Sequence, residues 1–338
     1  MERDAHQLLT AAIATVPGQR VLVCPLNWGL GHATRCVPVI RALLTANKIV
    51  VLASDGFPME FLRQEFPSLE MVNFPSMKIT YSTGTSQVGA MLRAVPHFVR
   101  SIWHEHRQLR HIVAAHHINT VLSDNRFGLW TRHTYCIYMT HQLMIKMPRH
   151  LKWLERPVHW LHLSIIAHYD ACWVPDWPNA PTLAGDLAHR FMLPRHARFV
   201  GPLSRFMKPE NAAPSPYKVL VLLSGPEPQR SILERLMTQR LQQSLVPSLI
   251  VCGTPQPTPT RQQINNVTLV SHLDTNKLTQ LIVTTPTIVC RSGYTTLMDL
   301  DVLQRTAILI ATPGQTEQEY LADIARNRGF TVVKQQNL

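Results

Sequence analysis

The chain has 338 residues, of which 45% are hydrophobic, and carries a net charge of +12. This length is sufficient for two α/β domains with sizeable cores, and no apolar run is long enough to cross a bilayer. Residues 1–19 lack the basic-then-apolar order of a signal peptide. The six cysteines are scattered without metal-ligand spacing, so we expect free thiols in a reducing cytoplasm and no metal site.

The positive charge is concentrated in the first half of the chain. Residues 1–205 carry +9 of the +12, together with all seven tryptophans and 16 of the 17 histidines. A basic, aromatic surface suits an anionic partner, which is a nucleic acid, an acidic lipid surface or a phosphorylated substrate. Charge alone does not distinguish among these three.

The first 60 residues predict the start of a parallel, doubly wound sheet. Residues 20–25 and 49–54 are strand-like apolar runs, and between them a loop with Gly29, Gly31 and His32 opens an apolar helical pattern. The loop lacks the third glycine of a dinucleotide fingerprint and the Lys-Ser/Thr of a P-loop. It therefore predicts close approach to a ligand without specifying a cofactor pyrophosphate.

Polar side chains follow two further predicted strands, residues 120–123 and 135–139. Because the carboxyl ends of parallel strands meet at one edge of a sheet, we expect these side chains to face the same crevice as His32. They are Asp124, Asn125, Arg126, His141 and Gln142. The alternative for each is a turn residue or a cap.

Two helical stretches of the first half carry basic side chains. Residues 87–117 predict an amphipathic helix with Arg93, Arg100, Arg107 and Arg110 on its polar side. Residues 150–168 predict an aromatic helix, flanked by the basic side chains of Arg149, Lys152 and Arg156. Basic amphipathic helices bind anionic membranes, but a solvated polar face over an apolar core gives the same pattern, and both interpretations stay open.

A proline-rich segment, residues 209–216, predicts a linker. After it the alternation of strands and helices resumes, with strands expected at residues 219–223, 248–252, 267–270, 287–290 and 306–310. We assign an N-terminal domain to residues 1–205, a linker to 206–216 and a C-terminal domain to 217–338. Two such α/β domains predict a two-lobed molecule with a cleft.

The stretch from Cys290 to Asp299 predicts a strand, a tight turn and a helix. Such a turn places a helix N-terminus, with unpaired amides and a positive dipole end, at the carboxyl edge of a sheet, which suits a phosphate or diphosphate. Gly293 permits close approach of the ligand, and the hydroxyls of Ser292 and Thr295 are further donors. Asp299 is suitably spaced to meet the hydroxyls of a ribose. The alternative is an ordinary strand–helix corner capped by serine.

These motifs resemble those of the two-domain GT-B glycosyltransferases, α/β proteins with two Rossmann-like doubly wound domains. The similarity is greatest to the family of the peptidoglycan N-acetylglucosaminyl transferase and the plant monogalactosyldiacylglycerol synthases (family 28). It is strongest over residues 20–41 and 287–325, and its specific parts are 290–299 and 315–320. It is weak in the middle of the N-terminal half, where such enzymes bind acceptors.

The resemblance implies that the C-terminal domain binds a UDP-sugar. The implied donor-binding residues are Ser224, Gly225, Arg230, His272, Leu273, Arg291, Ser292, Gly293, Thr295, Asp299, Gln315, Gln318 and Glu319. Ser292 and Gly293 would hold the diphosphate, and Asp299 would take the ribose, where the peptidoglycan enzymes have glutamate. Gln318 and Glu319 match a pair of glutamines at the donor sugar, and this change leaves N-acetylglucosamine and galactose both open.

The other roles follow the same resemblance. Ser224 and Gly225 match a second glycine turn near the phosphates, Arg230 would supply a cation to the leaving diphosphate, and the backbone at His272 and Leu273 would meet the uracil. The implied acceptor-binding residues are Gly29, Gly31, Asp124, Asn125, Arg126, His141 and Gln142.

The expected reaction is an inverting hexosyl transfer. An acceptor hydroxyl attacks the anomeric carbon as UDP leaves, and a base of near-neutral pKa takes the hydroxyl proton, for which histidine is suited. His32 is our candidate, the alternative being a phosphate-binding or packed histidine at a helix start. The helix dipole and arginines stabilise the leaving diphosphate, so neither metal nor cofactor is required. Asp299 and Asp301 form an Asp-x-Asp sequence, but in a helix residues two apart point to different faces.

The expected partners are a nucleotide sugar and a glycan or lipid-linked acceptor, without nucleic acid, since no nucleic-acid motif is present. A cytoplasmic cell-envelope enzyme, peripheral on the inner face of the plasma membrane, fits the basic first half. Two rival hypotheses stay open. One is a UDP-sugar hydrolase of the same fold, because related hydrolases share the Gly-x-Gly-His-x-x-Arg pattern that ends at Arg35. The other is a non-catalytic basic binding protein.

Overall fold

The computed structural model describes residues 4–76 and 87–338 and forms two compact units. The first unit contains residues 4–27, 35–76 and 88–203 of the described chain, and the second contains residues 28–34 and 204–338. The short segment 28–34, assigned from sequence to the N-terminal domain, thus clusters with the second unit. The structure does not describe the side chains of residues 87–98 or of Arg149. The predictions for Arg93 and for the apolar positions from Val88 to Phe98 therefore lie outside the described side chains.

In the described chain, the first unit is built on a parallel sheet of seven strands. They are β1 (Arg20–Pro25), β2 (Ile49–Ser54), β3 (Glu70–Asn73), β4 (Thr120–Asp124), β5 (Tyr135–Met139), β6 (Ala171–Val174) and β7 (Ala197–Phe199). Their spatial order is β3-β2-β1-β4-β5-β6-β7. Val21, Leu22 and Val23 on the interior strand β1 are fully buried, because a parallel sheet is covered by helices on both faces.

Helices connect these strands, as parallel crossovers require. They are α1 (Ala5–Ile13), α2 (Leu30–Thr45), α3 (Gly56–Glu65), α4 (Gln87–Ala115), a 3-10 helix (Arg149–Leu154), α5 (Glu155–Ile166) and α6 (Asp186–His189). No helix among the described residues combines the length and hydropathy that crossing a membrane demands.

The helix predicted over residues 150–168 is interrupted, and this expectation of one continuous helix is wrong. The 3-10 helix ends at Leu154, with non-helical dihedrals at Leu151, and α5 begins at Glu155. Pro157 lies in the first turn of α5, where a proline is tolerated. Its ring would clash with the carbonyl of the residue four positions earlier, so a regular α-helix does not continue upstream.

The second unit repeats the same arrangement after residue 204. Its strands are β8 (Val219–Leu222), β9 (Ser248–Val251), β10 (Arg261–Ile264), β11 (Val267–Val270), β12 (Thr287–Cys290), β13 (Ile308–Leu309) and β14 (Thr331–Val332). They lie in the order β10-β11-β9-β8-β12-β13-β14, and all pair in parallel except the edge pair β10–β11. Val221, Ile250 and Val289 form its core with the apolar side of the first helix of the unit.

The helices of the second unit cover both faces of this sheet and begin at its carboxyl ends. They are α7 (Gln229–Ser244), α8 (Thr275–Thr284), α9 (Tyr294–Val302), α10 (Thr316–Arg326) and a 3-10 helix (Gln335–Asn337). The Asp274 side chain caps α8 by accepting a hydrogen bond from the Lys277 amide at 2.8 Å, as its sequence position predicts.

Candidate functional site

Two serine–glycine turns follow neighbouring strands of the second unit. Leu222 at the end of β8 pairs in register with Cys290 at the end of β12, and each is followed two residues later by Ser-Gly. The strand order reverses direction between β8 and β12, with β9 and then β11 on one side and β13 on the other. In open α/β sheets this reversal point is where the crevice for a ligand forms.

Gly293 begins α9 at an open position. Its dihedrals, φ −74° and ψ 144°, suit any residue, and a Cβ added there would meet only Thr296 Oγ1, at 3.9 Å. Gly293 is the N-cap residue of α9 and, having no side chain, makes no side-chain capping hydrogen bond. The fold therefore does not require glycine at this position, whereas an anion approaching the helix N-terminus does.

Gly225 opens the other turn, and here the backbone itself requires glycine. Its φ is +99°, and no atom lies within 4 Å of the position that a Cβ would take. The segment with Gly29 and Gly31 lies against both turns within the second unit. The Cβ position of Gly29 is 3.6 Å from the Gly225 Cα, and the Thr295 hydroxyl donates to the Gly31 carbonyl at 3.1 Å.

His32 therefore follows a segment that touches both turns. It is half-buried in the first turn of α2, two residues after the helix begins at Leu30. Sequence analysis placed this glycine loop near a ligand, and the structure brings it to the same edge of the sheet as Gly225 and Thr295. The catalytic role of His32 stays a prediction.

Ser292 is fully buried, and its hydroxyl is used by the fold. It donates to the Gln318 backbone carbonyl at 2.8 Å and thereby ties the β12 turn to α10. The Gln318 side chain accepts from the Thr312 amide at 2.9 Å, and the Glu319 carboxylate accepts from the Gly314 amide at 3.0 Å. These contacts brace the turn that precedes α10, and the contact of Ser292 with a diphosphate stays a prediction.

The turn braced in this way ends at Gln315, which occupies the N-cap position of α10. Its side chain makes no capping hydrogen bond and is half-buried. Gln318 and Glu319 thus hold the backbone of this turn, whereas Gln315, also predicted to bind the donor, makes no capping hydrogen bond there.

Arg291 is buried, and its side chain links several elements of the second unit by hydrogen bonds. Its guanidinium donates to the Gln229 carbonyl at 2.9 Å, to the Gln335 side chain at 2.7 Å and to two carbonyls after β13 at 3.3 Å. Burial lowers the pKa of Arg291 to about 10. The expectation that Arg291 contacts a ligand is not supported, because its donors are directed to groups of the fold.

Arg230, in the first turn of α7, is paired with two carboxylates. Its guanidinium contacts Glu227 at 2.6 Å and Glu234 at 2.5 Å, and also donates to Ser231 at 2.7 Å. A role at the leaving diphosphate would require these ion pairs to rearrange. The prediction for Arg230 consequently has no support from this arrangement.

Asp299 lies on α9, about two helical turns after Ser292. One carboxylate oxygen accepts a hydrogen bond from the Ser204 hydroxyl at 2.6 Å. Burial raises the pKa of Asp299 to about 7, while the Ser204 hydrogen bond and the charge of Arg205 act in the opposite direction. Ser204 was not among the predicted site residues, because no pattern in the chain relates this serine to a residue 95 positions later.

His272 and Leu273 follow β11 and are half-buried, at the same carboxyl edge as the glycine turns. The Ser271 hydroxyl contacts His272 Nδ1 at 3.2 Å and accepts from the Thr260 amide at 2.9 Å. The backbone of this loop is thus held in place, and its predicted contact with a base stays a prediction.

In the first unit, the polar residues after β4 and β5 are mostly directed into the protein. Asp124 is fully buried and forms an ion pair with the buried Arg35, whose other nitrogen lies 3.0 Å from His141 Nδ1. The prediction that Asp124 and His141 line an acceptor crevice is not supported, because a buried carboxylate requires such a partner and is held by it.

Arg126 is likewise buried and paired with Glu105 of α4 at 3.0 Å, while it donates to the Phe74 carbonyl at 3.1 Å. It anchors α4 to the sheet, which does not support the acceptor-binding role predicted for it. Asn125 adopts a left-handed conformation, φ +58°, and accepts from the Tyr138 hydroxyl at 3.0 Å. Gln142 is half-buried, and its backbone amide donates a hydrogen bond to the Thr140 hydroxyl at 3.1 Å.

Among the described residues, no group of three or more His, Cys, Asp and Glu side chains is arranged to hold a metal ion. Asp299 and Asp301 have separate partners, because Asp301 forms an ion pair with Arg328.

No protein-family model matches the chain, and no curated protein matches it in sequence. Solved structures do match over nearly the whole chain. CalG4, the calicheamicin glycosyltransferase, has a TM-score of 0.59 at 11% identity and covers 95% of this chain and 86% of its own. LpCGTa, solved in complex with UDP, has a TM-score of 0.55 at 13% identity, with coverages of 95% and 85%.

MurG of Acinetobacter baumannii has a TM-score of 0.53 at 11% identity, with coverages of 95% and 87%. These neighbours are GT-B glycosyltransferases, and the chain has their fold. The predicted fold class is therefore confirmed. The narrower resemblance to the family of the monogalactosyldiacylglycerol synthases stays a prediction.

Proposed function

We propose that the protein is an inverting glycosyltransferase that moves a hexose from a UDP-sugar to an acceptor hydroxyl. The observation that carries this proposal is the pair of serine–glycine turns at the reversal point of the second sheet. One turn opens α9 at a glycine that the backbone does not need, and the other has open space around Gly225. Such a place accepts a diphosphate. The UDP held by the structural neighbour LpCGTa agrees with this choice of nucleotide.

The amides at the start of α9 would carry most of the leaving-group stabilisation. As the anomeric carbon–oxygen bond breaks, negative charge grows on the diphosphate, and fixed donors at a helix N-terminus meet it without reorganising. Ser292 contributes through its position in the turn, since its hydroxyl is bound to Gln318. Asp299 would accept from the ribose hydroxyls, and the half-buried Gln315 would meet the donor sugar.

His32 is the proposed general base. It removes the proton of the acceptor hydroxyl while that oxygen attacks the anomeric carbon from the side opposite to the diphosphate, which inverts the configuration. We propose a metal-independent transfer. The separate partners of Asp299 and Asp301 support this, because a metal-binding Asp-x-Asp pair needs both carboxylates directed at one ion.

We also propose that the acceptor is presented at an anionic membrane surface on the cytoplasmic side. The supporting observation is that α5 has its polar side inward. Glu155, His159 and His162 are buried, and each bonds to groups of the fold, including Arg190, the Leu143 carbonyl and the Tyr138 hydroxyl. Trp160 and Leu161 face outward with 71% and 64% of their surfaces exposed.

The exposed charged residues that flank this outward side in sequence are basic. Trp153 is 70% exposed, Lys152 and Arg156 are exposed, and the single acidic residue between positions 149 and 168 is the buried Glu155. Tryptophan with lysine and arginine is the combination that a lipid headgroup region attracts. A glycan or lipid-linked acceptor at that surface is therefore the acceptor class that we propose.

The proposal is tested by titration calorimetry with a panel of nucleotide sugars, together with an assay for released UDP. We expect binding of UDP-N-acetylglucosamine or UDP-galactose, and no binding of the matching GDP-sugars. Addition of a chelator should leave turnover unchanged. Failure of every nucleotide sugar to bind would contradict the proposal.

The hydrolase alternative is separated by its product. A transferase releases UDP only when an acceptor hydroxyl is present, whereas a hydrolase releases free sugar from the donor alone. Steady release of free sugar at the same rate with and without acceptors would favour the hydrolase.

A further inference from the structure

Ser204 begins the long C-terminal segment of the second unit, and its hydroxyl makes two hydrogen bonds. It accepts from the Phe206 amide at 3.1 Å and donates to Asp299 Oδ1 at 2.6 Å. Toward the ionised carboxylate, which has no proton of its own, the hydroxyl is the donor. The contact holds Oδ1 and leaves Oδ2 outside this hydrogen bond.

Few charges act on Asp299. In the described chain, the titratable and charged groups that interact with it are Arg205, which follows Ser204, and the buried thiol of Cys290 on β12. Arg205 is held at the start of α8, where it donates to the Thr275 hydroxyl at 3.2 Å. The Ser204 hydroxyl is a neutral group whose hydrogen bond favours the ionised carboxylate.

We propose that Ser204 is a positioning residue for the nucleotide sugar, which orients the Asp299 carboxylate and favours its ionised form, so that donor binding depends on pH near neutrality. The inference rests on the proposed function in one respect, namely that Asp299 accepts from ribose hydroxyls. An ionised carboxylate accepts two hydrogen bonds from a diol, whereas a protonated one brings its own proton and accepts less well.

Burial supports the predicted pH range. Because the pKa of Asp299 is raised to about 7, the carboxyl changes its protonation state across physiological pH. Removing the Ser204 hydroxyl removes a hydrogen bond that lowers this pKa, so the pKa should rise further. The pH at which binding is half-lost should rise with it.

The experiment is titration calorimetry of UDP-N-acetylglucosamine and UDP-galactose between pH 5.5 and pH 8.5. A nucleotide sugar is used because its diphosphate lacks the terminal phosphate whose second pKa is near 6. The variants are Ser204→Ala, Ser204→Thr and Asp299→Asn. Ser215→Ala is the matched control, since Ser215 also accepts from the amide two residues later, at 3.1 Å, but contacts Thr285 instead of Asp299.

We expect the affinity of the unaltered protein to fall about tenfold per pH unit below the pKa of Asp299. In Ser204→Ala the midpoint should shift upward by about one pH unit. Ser204→Thr should restore the original midpoint, Ser215→Ala should leave it unchanged, and Asp299→Asn should bind weakly without this midpoint. An unchanged midpoint in Ser204→Ala, or a retained one in Asp299→Asn, overturns the inference.

A second readout needs no nucleotide. Since the folded pKa of Asp299 is above its unfolded value of about 3.9, its contribution to stability is present below pH 4 and is lost as pH rises to 7. The Tm difference between the unaltered protein and Asp299→Asn should follow that loss, and Ser204→Ala should extend it to higher pH. No binding at any pH, together with this Tm shift, would overturn the proposed function and the donor role of Ser204, but not its contact with Asp299.

Discussion

At Gly293, one substitution can change the affinity for a ligand without lowering the stability of the fold. Its φ is negative and a Cβ there would touch nothing closer than 3.9 Å, so Gly293→Ala costs no strain and reduces the entropy of the unfolded chain. We expect unchanged or slightly increased stability, by up to about 1 kcal/mol, and a large loss of UDP-sugar affinity. Calorimetry and thermal unfolding of the same variant measure both quantities.

Gly225→Ala is the control for this prediction. Its φ of +99° makes a side chain costly, so this variant should lose stability as well as affinity. If Gly293→Ala binds the nucleotide sugar as well as the unaltered protein does, the start of α9 is not the diphosphate site.

The proposed role of His32 is tested by measuring UDP-sugar affinity and turnover in the same variant. The residue follows the Gly31 carbonyl that contacts Thr295, yet the proposed donor contacts belong to other residues. We expect His32→Ala to keep the UDP-sugar affinity and to lower turnover by about 10²–10⁴-fold, the usual contribution of a general base. Turnover is measured as UDP released in the presence of an acceptor.

The control variant is His168→Ala, because His168 is exposed on the first unit, where its ring bonds to the Ser164 carbonyl at 2.8 Å and packs against Trp130 at 4.4 Å between ring centroids. Its turnover should be unchanged. A full rate in His32→Ala would remove His32 from the mechanism, whereas a loss of affinity would favour a phosphate-binding role.

At the scale of whole elements, α5 is a helix that buries polar side chains and exposes large apolar ones. Its exposed Trp160 and Leu161 contribute little to packing, so replacing both with serine should change stability by less than about 0.5 kcal/mol. We expect the same variant to lose binding to vesicles that contain anionic lipid, and the unaltered protein to bind them at low but not at high salt. Co-sedimentation measures this directly.

Met192→Ser is the matched control, because Met192 is also an exposed apolar residue of the first unit, at 92%, but lies outside α5. It should sediment with vesicles as the unaltered protein does. Vesicle binding by the Trp160 and Leu161 variant at full strength would place the membrane contact elsewhere. A change of oligomeric state instead would identify this side of α5 as a surface for a second copy.

The elements themselves were largely predictable, while the buried polar partners were not. Apolar runs between glycine or proline signals located β1, β2, β5 and β12 within a residue, because local pattern determines them. The pairing of Asp124 with Arg35 and of Arg126 with Glu105 depends on distant segments meeting. A polar residue at the end of a strand looks the same in sequence whether it faces a ligand or an ion-pair partner.

The same reasoning applies to Arg291 and Ser292, whose contact with a ligand stays a prediction. Their position in the turn was predicted correctly, but the acceptors that bind their side chains come from α7, α10 and the chain end. The sequence therefore predicts where the turn lies. It does not predict which of the side chains around the turn bond to the fold and which are available to a ligand.

At the scale of the whole molecule, each compact unit should respond separately to a nucleotide sugar. The proposed donor contacts all lie in residues 28–34 and 204–338, which form the second unit. Ligand binding lowers the population of locally open states, so amide exchange should slow at the turns after β8 and β12 and at the start of α9. Strands β4 and β5 of the first unit should exchange at an unchanged rate.

Hydrogen exchange with mass spectrometry, at saturating UDP-sugar, makes this measurement, and the Gly293→Ala variant under the same conditions is the control. At a ligand concentration about 100 times the Kd, the stabilisation is about 2.7 kcal/mol, which corresponds to roughly 100-fold slower exchange through openings that release the ligand. Protection confined to the first unit would contradict the donor site. Protection at α9 that also appears in Gly293→Ala would mean that the ligand stabilises this unit without using the helix N-terminus.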